Sequence, residues 1–403
     1  MPETVKRTKL TFFSFGILEQ GGGFEYFLMS TAGDLRKQYD DLDITIVTMT
    51  PRIVEKLQHI LTIYFMRKQD PKAIYRESRE TVLKILGDNV SYKQADSLKE
   101  LAGILKEADV IYSKNEVLEL TVLNKIGLGT LPPVILGVHT PIYYPNTPSL
   151  SARLHNFLYT GPLYKYFIKK VNRIQVNNED DVAIVRGKLG FSNVRRIRQA
   201  FHIPPLKTRK TSKGLHLLFV GRLTEAKGIG LLSHIIEKLK NDPRFSNFTF
   251  KIAGSGDTAI VEQVKLLTLG SPSVEYLGHV PNEEVMKLYD EADATIITSQ
   301  YETLNKVAIE TGMAGKIALC TDIPGPREVI IHGKTGFLLE PTADAFIDQL
   351  AQLKQLKETD EAAFQALGKN AYEHIKQKYN PEDVYEELRG DILAALQKGG
   401  QLC

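Results

Sequence analysis

Short apolar runs alternate with helix-length amphipathic segments along nearly the whole chain, and this alternation limits the fold more than any other feature. Runs of four to eight β-branched and aromatic residues, each followed by a helical pattern, are the signature of parallel strands joined by crossover helices. The expected strands in the first half are Leu10–Phe15, Ile44–Met49, a short one near Val90, Val110–Tyr112, Val134–Val138, Arg173–Asn177 and Asn193–Arg198. The pattern restarts with Leu215–Val220, Phe248–Ile252, Val274–Leu277, Ala294–Thr298 and Ile317–Cys320, and three helices near 343–357, 360–379 and 381–397 finish the chain. Between the halves, residues 202–214 are polar, basic and broken by Pro204 and Pro205, and read as a linker. With 403 residues the chain is too long for one ordinary core. The expected class is α/β with two Rossmann-like domains.

Charge divides along the same line. Residues 1–213 hold 32 Lys/Arg and 21 Asp/Glu, a balance of +11, whereas residues 214–403 hold 19 and 27, a balance of −8. A basic half favours an anionic partner such as a phospholipid surface or a phosphorylated lipid carrier, or it is a solvated face with no partner. Basic-aromatic segments at Tyr64–Lys68 and Tyr75–Arg79, and a helical stretch over 150–171 broken at Gly161-Pro162, sharpen the question. In the last of these, Tyr159, Tyr164, Tyr166 and Phe167 mix with Lys165, Lys169 and Lys170. Such a mixture seats a segment at a membrane interface or belongs to a core-facing helix with a basic outer face. No apolar run approaches the roughly 18 residues of a spanning helix. Two cysteines, Cys320 and Cys403, make no disulfide framework and fit a reducing cytosol.

Open α/β sheets bind ligands at the carboxyl ends of their strands, so the residues just beyond each strand carry the chemistry. After the first strand comes Gly21-Gly22-Gly23, which lets a backbone approach a ligand or makes a tight turn; it is neither a dinucleotide fingerprint nor a P-loop. His139 ends its strand and faces either a ligand or a loop carbonyl. Arg222 and Lys227 lie in a glycine-containing loop after Val220 and suit a diphosphate, or an ion pair with a neighbouring acid. Glu302 and Glu310 follow Ala294–Thr298. On one continuous helix they would stand about 80° apart; with Glu302 in the loop and Glu310 in the helix, both can face the crevice. Glu310 suits a ribose diol, and Glu302 suits sugar hydroxyls or positive charge at an anomeric carbon; taken alone, either reads as a solvated surface residue. Asp41-Leu42-Asp43 sits at the start of a strand, away from that crevice, and the histidines lack metal-ligand spacing.

The ordered set Gly221-Arg222-Leu223, Lys227-Gly228, Ala253-Gly254-Ser255-Gly256, Leu277-Gly278, Ser299 to Glu302, Glu310, Pro324 to Glu328 and Gly336-Phe337-Leu338 resembles the retaining glycosyltransferases of family 4, which have the GT-B fold. The likeness covers nearly all of residues 214–340; over residues 1–213 it rests on Gly21–Gly23 and His139. It implies two Rossmann-like domains facing each other across a cleft: 1–205 for the acceptor, a linker at 206–214, 215–380 for the nucleotide sugar, and a final helix in 381–403 crossing back to the first domain. It implies a metal-independent, retaining transfer of a hexose or N-acetylhexosamine from a nucleotide diphosphate sugar, UDP ahead of GDP, to a glycan or lipid-linked acceptor. No cofactor and no nucleic acid are expected. The setting would be cell-envelope glycan synthesis, cytoplasmic or peripheral on the inner face of the membrane, with an anionic membrane surface as a further partner. Carried over by position, Glu302, His139, Arg222 and Lys227 are the catalytic set, and Gly22, Gly23, Gly254, Thr303, Leu304, Asn305, Val307 and Glu310 join Arg222 and Lys227 on the donor. Where the family often has Gly-Phe-Gly, this chain has Thr303-Leu304-Asn305-Lys306, whose side chains are expected to bear on sugar choice. A GT-B epimerase and a non-catalytic sugar-nucleotide-binding protein are the rival functions; a dehydrogenase is remote because neither half has the dinucleotide fingerprint.

Overall fold

A computed structural model describes residues 7–16, 18–20, 23–54, 79–144, 150–207 and 213–398. Gly21, Gly22, the segment Tyr64–Lys68, residues 75–78 of the segment Tyr75–Arg79, residues 208–212 of the expected linker and Cys403 lie outside the described residues. The chain forms two compact units, residues 1–200 with 382–403, and residues 201–381.

The first unit is built on seven parallel strands in the order β3-β2-β1-β4-β5-β6-β7. They are β1 (Thr8–Ser14), β2 (Leu42–Met49), β3 (Val90–Ala95), β4 (Val110–Lys114), β5 (Val134–Gly137), β6 (Arg173–Val176) and β7 (Val194–Arg196). Their middles are apolar because helices cover both faces: Phe13, Val47, Ile111 and Leu136 face one buried cluster, and Leu10, Phe12, Ile46 and Tyr112 face another. The helix Pro381–Lys398 belongs to this unit. Tyr385, Leu388, Ile392 and Ala395, at helical spacing, enter the second of those clusters. Asp391 is fully buried beside them, accepting from Gln175 (2.7 Å) and facing Arg173 (3.3 Å) and Arg195 (3.4 Å). A buried carboxylate needs such partners, so the acid sets the register of the helix against β6 and β7.

The second unit has six parallel strands in the order β10-β9-β8-β11-β12-β13. These are β8 (Leu215–Val220), β9 (Phe248–Ala253), β10 (Val274–Gly278), β11 (Ala294–Ile297), β12 (Ile317–Thr321) and β13 (Phe337–Leu339). Its first residues come earlier than the prolines suggest. Phe201 N–H donates to the Tyr379 carbonyl (3.0 Å), the two rings meet edge-on at 6.0 Å, and the Tyr372 hydroxyl donates to the Pro204 carbonyl (3.1 Å). Phe201 and Ile203 thus pack into the second unit's core. The expected boundary at 205 moves to Ala200/Phe201, because two apolar side chains find a core that the polar residues around them conceal.

Strand order reverses direction at two places, between β1 and β4 and between β8 and β11, each with neighbours on opposite sides. Helices leaving such a pair of strands go to opposite faces, which opens a crevice at the carboxyl ends.

Candidate active site

In the second unit, the reversal between β8 and β11 sets the loop 221–228 against the loop 298–305. Two hydrogen bonds join them: Gln300 N–H to the Ala226 carbonyl (3.0 Å) and the Thr298 hydroxyl to the Lys227 carbonyl (2.8 Å). Gly228 makes that approach possible. Its φ is +69°, and a Cβ there would lie 1.9 Å from the Thr298 carbonyl oxygen. On the other side, loop 221–228 continues the β8–β9 pairing beyond the strands, through Leu223 N–H to the Ser255 carbonyl (2.9 Å) and Asp257 N–H to the Leu223 carbonyl (3.0 Å). Gly254 is required there, because a Cβ would lie 1.8 Å from the Gly221 carbonyl oxygen. Its place among the expected donor contacts therefore has a packing cause in the protein itself.

Lys227 and Glu302 are ion-paired across the two loops. The Ser299 hydroxyl donates to the same carboxylate oxygen (3.0 Å), and Gly325 N–H holds the Glu302 carbonyl (3.0 Å). The Thr321 hydroxyl in turn holds the Ser299 carbonyl (2.5 Å). Glu302 is thus fixed from β12 and from the helix Pro324–Val329 as well as by its cation. Arg222 is exposed and makes no ion pair with a described residue. One cation is committed to a carboxylate and its neighbour is exposed, in a loop that leads into the helix Ile229–Asn241.

Glu310 lies one turn inside the helix Lys306–Met313. Its carboxylate accepts from the Tyr289 hydroxyl (2.8 Å), leaving Oε1 without a hydrogen-bond donor among the described residues. Burial raises the Glu310 pKa, opposed by the Tyr289 hydrogen bond and by Lys306. Burial likewise holds the Tyr289 phenol well above its ordinary range, so it stays protonated and donates. Lys306, four residues before Glu310, has a pKa lowered by burial and partly restored by Glu310.

The intervening side chains do not all face this crevice. Leu304 is buried with Ile297, Ala308 and Ile309, and Val307 packs on the same core. Asn305 is 1% exposed and caps the helix, its Oδ1 accepting from Ala308 N–H (2.9 Å). Thr303 is also buried. The expectation that the side chains of Thr303 to Lys306 bear on sugar choice is therefore corrected for Leu304: an apolar side chain beside a core goes into it, and such a position offers a ligand only backbone.

His139 belongs to the first unit. Its ring is packed by Phe24 and Phe27, at centroid distances of 4.8 and 4.4 Å. Asn177 Nδ2 donates to the Val138 carbonyl (3.1 Å), which turns its Oδ1 toward Gln199 Nε2 (3.3 Å). That amide nitrogen then donates to His139 Nδ1 (3.2 Å), leaving Nε2–H for the Tyr112 hydroxyl oxygen (3.2 Å). The relay starts at a backbone carbonyl and selects the Nε2–H tautomer. His139 is thus held by an amide and a phenol. Gly23 opens the helix Gly23–Gln38.

At the reversal between β1 and β4, Phe15 N–H donates to Glu119 (3.1 Å), a carboxyl buried at 4% exposure. Burial pushes its pKa up to about 7, with Lys114 opposing and Glu116 reinforcing. An acid whose folded pKa lies above its unfolded value adds stability while protonated, and that contribution is lost as pH rises from about 4.5 to about 7. Glu119→Gln should therefore stabilise the first unit at pH 8 and change little at pH 4.5. Urea unfolding of both proteins at the two pH values checks this; an equal shift at both would refute it.

Tyr289 was not singled out by the sequence; Ser299 and Gly325 entered only as members of the motif set, and Asn305 as a donor contact rather than as a helix cap. Only Asn305, one residue before a helix, carried a local signal, the side chain of an N-cap. Among the described residues no three His, Cys, Asp or Glu side chains cluster as metal ligands would.

Residues 205–374 match the family model "Glycosyl transferases group 1". Over this stretch the chain is similar to the group 1 glycosyltransferases. An uncharacterized glycosyltransferase, MJ1607, of Methanocaldococcus jannaschii is 31% identical over 186 residues, 46% of each chain. A D-inositol 3-phosphate glycosyltransferase of Corynebacterium diphtheriae is 32% identical over 164 residues, 39% of this chain and 38% of that one. The matched stretches span less than half of these relatives. Among solved structures, a sucrose-phosphate synthase of Thermosynechococcus elongatus superposes with a TM-score of 0.69 at 16% identity, over 96% of this chain and all of that one. Alr3699/HepE of Anabaena, solved with UDP-glucose, gives 0.68 at 16% over the same shares. The stretch that matches the family model thus sits in a chain with the GT-B fold, two parallel-sheet Rossmann-like units. Its matched segment contains the crevice from Arg222 to Glu310.

Proposed function

We propose that the protein is a retaining, family 4-type glycosyltransferase that moves a hexose or N-acetylhexosamine from a nucleotide diphosphate sugar, UDP ahead of GDP, to a glycan or lipid-linked acceptor without a metal. The observation that carries the reading is the loop pair at the reversal of the second sheet, where Arg222 and the Lys227–Glu302 pair stand near the helix bearing Glu310. Two cations suit a diphosphate. In this reading Glu310 Oε1 accepts a ribose hydroxyl while Tyr289 holds the other oxygen. The Anabaena protein's structure with UDP-glucose, and that of Staphylococcus aureus TarM with UDP, support a nucleotide sugar as donor.

In this reading the bond from the anomeric carbon to the diphosphate oxygen breaks while the acceptor hydroxyl attacks from the same face. The proton of that hydroxyl goes to the departing phosphate oxygen. Arg222 and Lys227 neutralise the charge that develops there, and Glu302 stabilises positive charge at the anomeric carbon. His139 and the glycines Gly22 and Gly23 are the first unit's contribution to the donor. The acceptor binds chiefly to the first unit.

The test is a donor screen by thermal shift, followed by mass spectrometry and NMR of products on candidate acceptors, with and without a chelator. The expected product keeps the donor's anomeric configuration, and activity survives the chelator. An inverted product refutes retention. Full loss restored by Mn²⁺ refutes metal independence, and a released or epimerised sugar with no acceptor refutes transfer.

A further inference from the structure

The helices Leu150–Thr160 and Pro162–Ile168 each bury one face in the first unit. Tyr159, Tyr164 and Ile168 lie in its core, and the two phenols donate to Glu116 (3.0 Å) and Asn115 (2.8 Å). The opposite face is apolar as well. Leu150 is 82% exposed, Phe157 70%, Tyr166 68%, Leu163 61% and Leu154 48%. Leu150, Leu154 and Phe157 follow the i, i+4, i+7 spacing of one helical face. Half of the ten large apolar side chains exposed among the described residues thus fall within seventeen positions. Exposed apolar residues scattered singly are ordinary; a cluster of this kind marks an interaction surface.

Charge identifies the partner. Residues 120–178 contain no Asp or Glu, while Arg153, Lys165, Lys169 and Lys170 lie on these two helices or just past them. Arg153, Lys169 and Lys170 are exposed, and none of the four forms an ion pair with a described residue. A protein interface of this size would be depleted in lysine at its core. Apolar and aromatic tips ringed by uncompensated cations instead match the boundary of a bilayer, where Leu, Phe and Tyr enter the headgroup region and lysines meet anionic lipid. No helix among the described residues is long and apolar enough to cross a membrane.

We propose that this face docks the protein onto an anionic lipid surface. The inference rests on these two helices and not on the sugar chemistry proposed above. The test is sedimentation of the full chain with vesicles of phosphatidylglycerol and phosphatidylcholine, compared with pure phosphatidylcholine. Binding is expected to the anionic vesicles at low salt and to fall as salt is added. Phe157→Asp with Leu163→Asp should lower the partition coefficient more than tenfold, with nucleotide binding and thermal melting unchanged. Lys169→Ala and Lys170→Ala should cost about fivefold each at low salt and little at high salt. Absence of binding at low salt, equal binding to neutral and anionic vesicles, or full binding by the Asp variants would overturn the proposal. So would a concentration-dependent dimer, seen by analytical ultracentrifugation and lost on Phe157→Asp with vesicle binding intact, which would assign the face to a second copy of the chain.

Discussion

Lys227→Ala is expected to weaken binding of a nucleoside diphosphate by about 1.5–3 kcal/mol, roughly 10- to 150-fold in Kd, the range of a charge-assisted hydrogen bond. Glu302→Gln is expected to do the opposite to binding and to lower transfer. In the free protein the Lys227 ammonium is paired with the Glu302 carboxylate, which also accepts from the Ser299 hydroxyl, while the Gly325 amide holds the Glu302 backbone carbonyl. A diphosphate must share that ammonium with the carboxylate and sit near its negative charge. Glutamine keeps the shape and removes both obstacles, so affinity should hold or rise. If the carboxylate acts on the developing positive charge of the sugar, kcat should still fall by about 10²-fold or more. The pair is in contact, so the double variant should depart from additivity. Calorimetry with UDP and GDP, alongside turnover, separates the outcomes. Unchanged affinity in Lys227→Ala would remove the diphosphate from this loop. Parallel loss of affinity in both variants would make the pair purely structural.

The residues of this pair were legible from sequence, but their pairing was not. Arg222 and Lys227 read as phosphate ligands because they follow a strand end and sit among glycines. Glu225, two residues away, was the nearer acid for Lys227, yet the ion pair forms with Glu302 across 75 positions of chain. Tyr289 is a similar case. It looks like any apolar position of the helix Asn282–Glu291, and its role appears only when that helix lies against Lys306–Met313. Leu304 is the opposite case. Its position inside a motif suggests that its side chain bears on sugar choice, and its apolar character takes that side chain to the core instead.

Elements with their own local signals were read closely. Leu98–Lys106 carries its own start signal, Ser97 accepting from Glu100 N–H (3.2 Å) and Glu100 from Asp96 N–H (2.8 Å). Leu215–Val220 agrees at both ends because it is continuously apolar and bounded by Gly214 and Gly221. Thr258–Thr268 escaped notice. Only Val264 on it is fully buried, so its apolar stripe is faint, and the readable signal was the Asp257 cap, which accepts from Ala259 and Ile260 N–H. The strand β13 is three residues long, too short for any period to show.

Lys357→Met should cost the second unit about 3–5 kcal/mol, the penalty for leaving a buried charge without its partner. Asp293 is fully buried just before β11, and Lys357, 7% exposed by its side chain, sits near the end of the helix Ala343–Thr359. The ammonium donates to Asp293 (2.9 Å) and to the Gly214 carbonyl (2.7 Å), while the same carboxylate oxygen accepts from His216 N–H (2.7 Å). One ion pair therefore ties the helix to the starts of β8 and β11, the two strands whose far ends carry Lys227 and Glu302. Methionine preserves most of the packing volume and removes only the charge, so the loss measures the stranded carboxylate. Replacing both partners, Asp293→Asn with Lys357→Met, should restore part of the stability, because no charge is then left uncompensated. Urea unfolding checks both, and a saturating nucleotide that raises one transition identifies it as that of the second unit. The pair lies at the amino ends of the strands and the crevice at their carboxyl ends. Below the unfolding transition, nucleotide affinity in Lys357→Met should therefore match that of the unaltered protein. A loss of affinity at full folding would mean that the amino-end pair also positions the loops 221–228 and 298–305, and that the two ends of β8 and β11 move together.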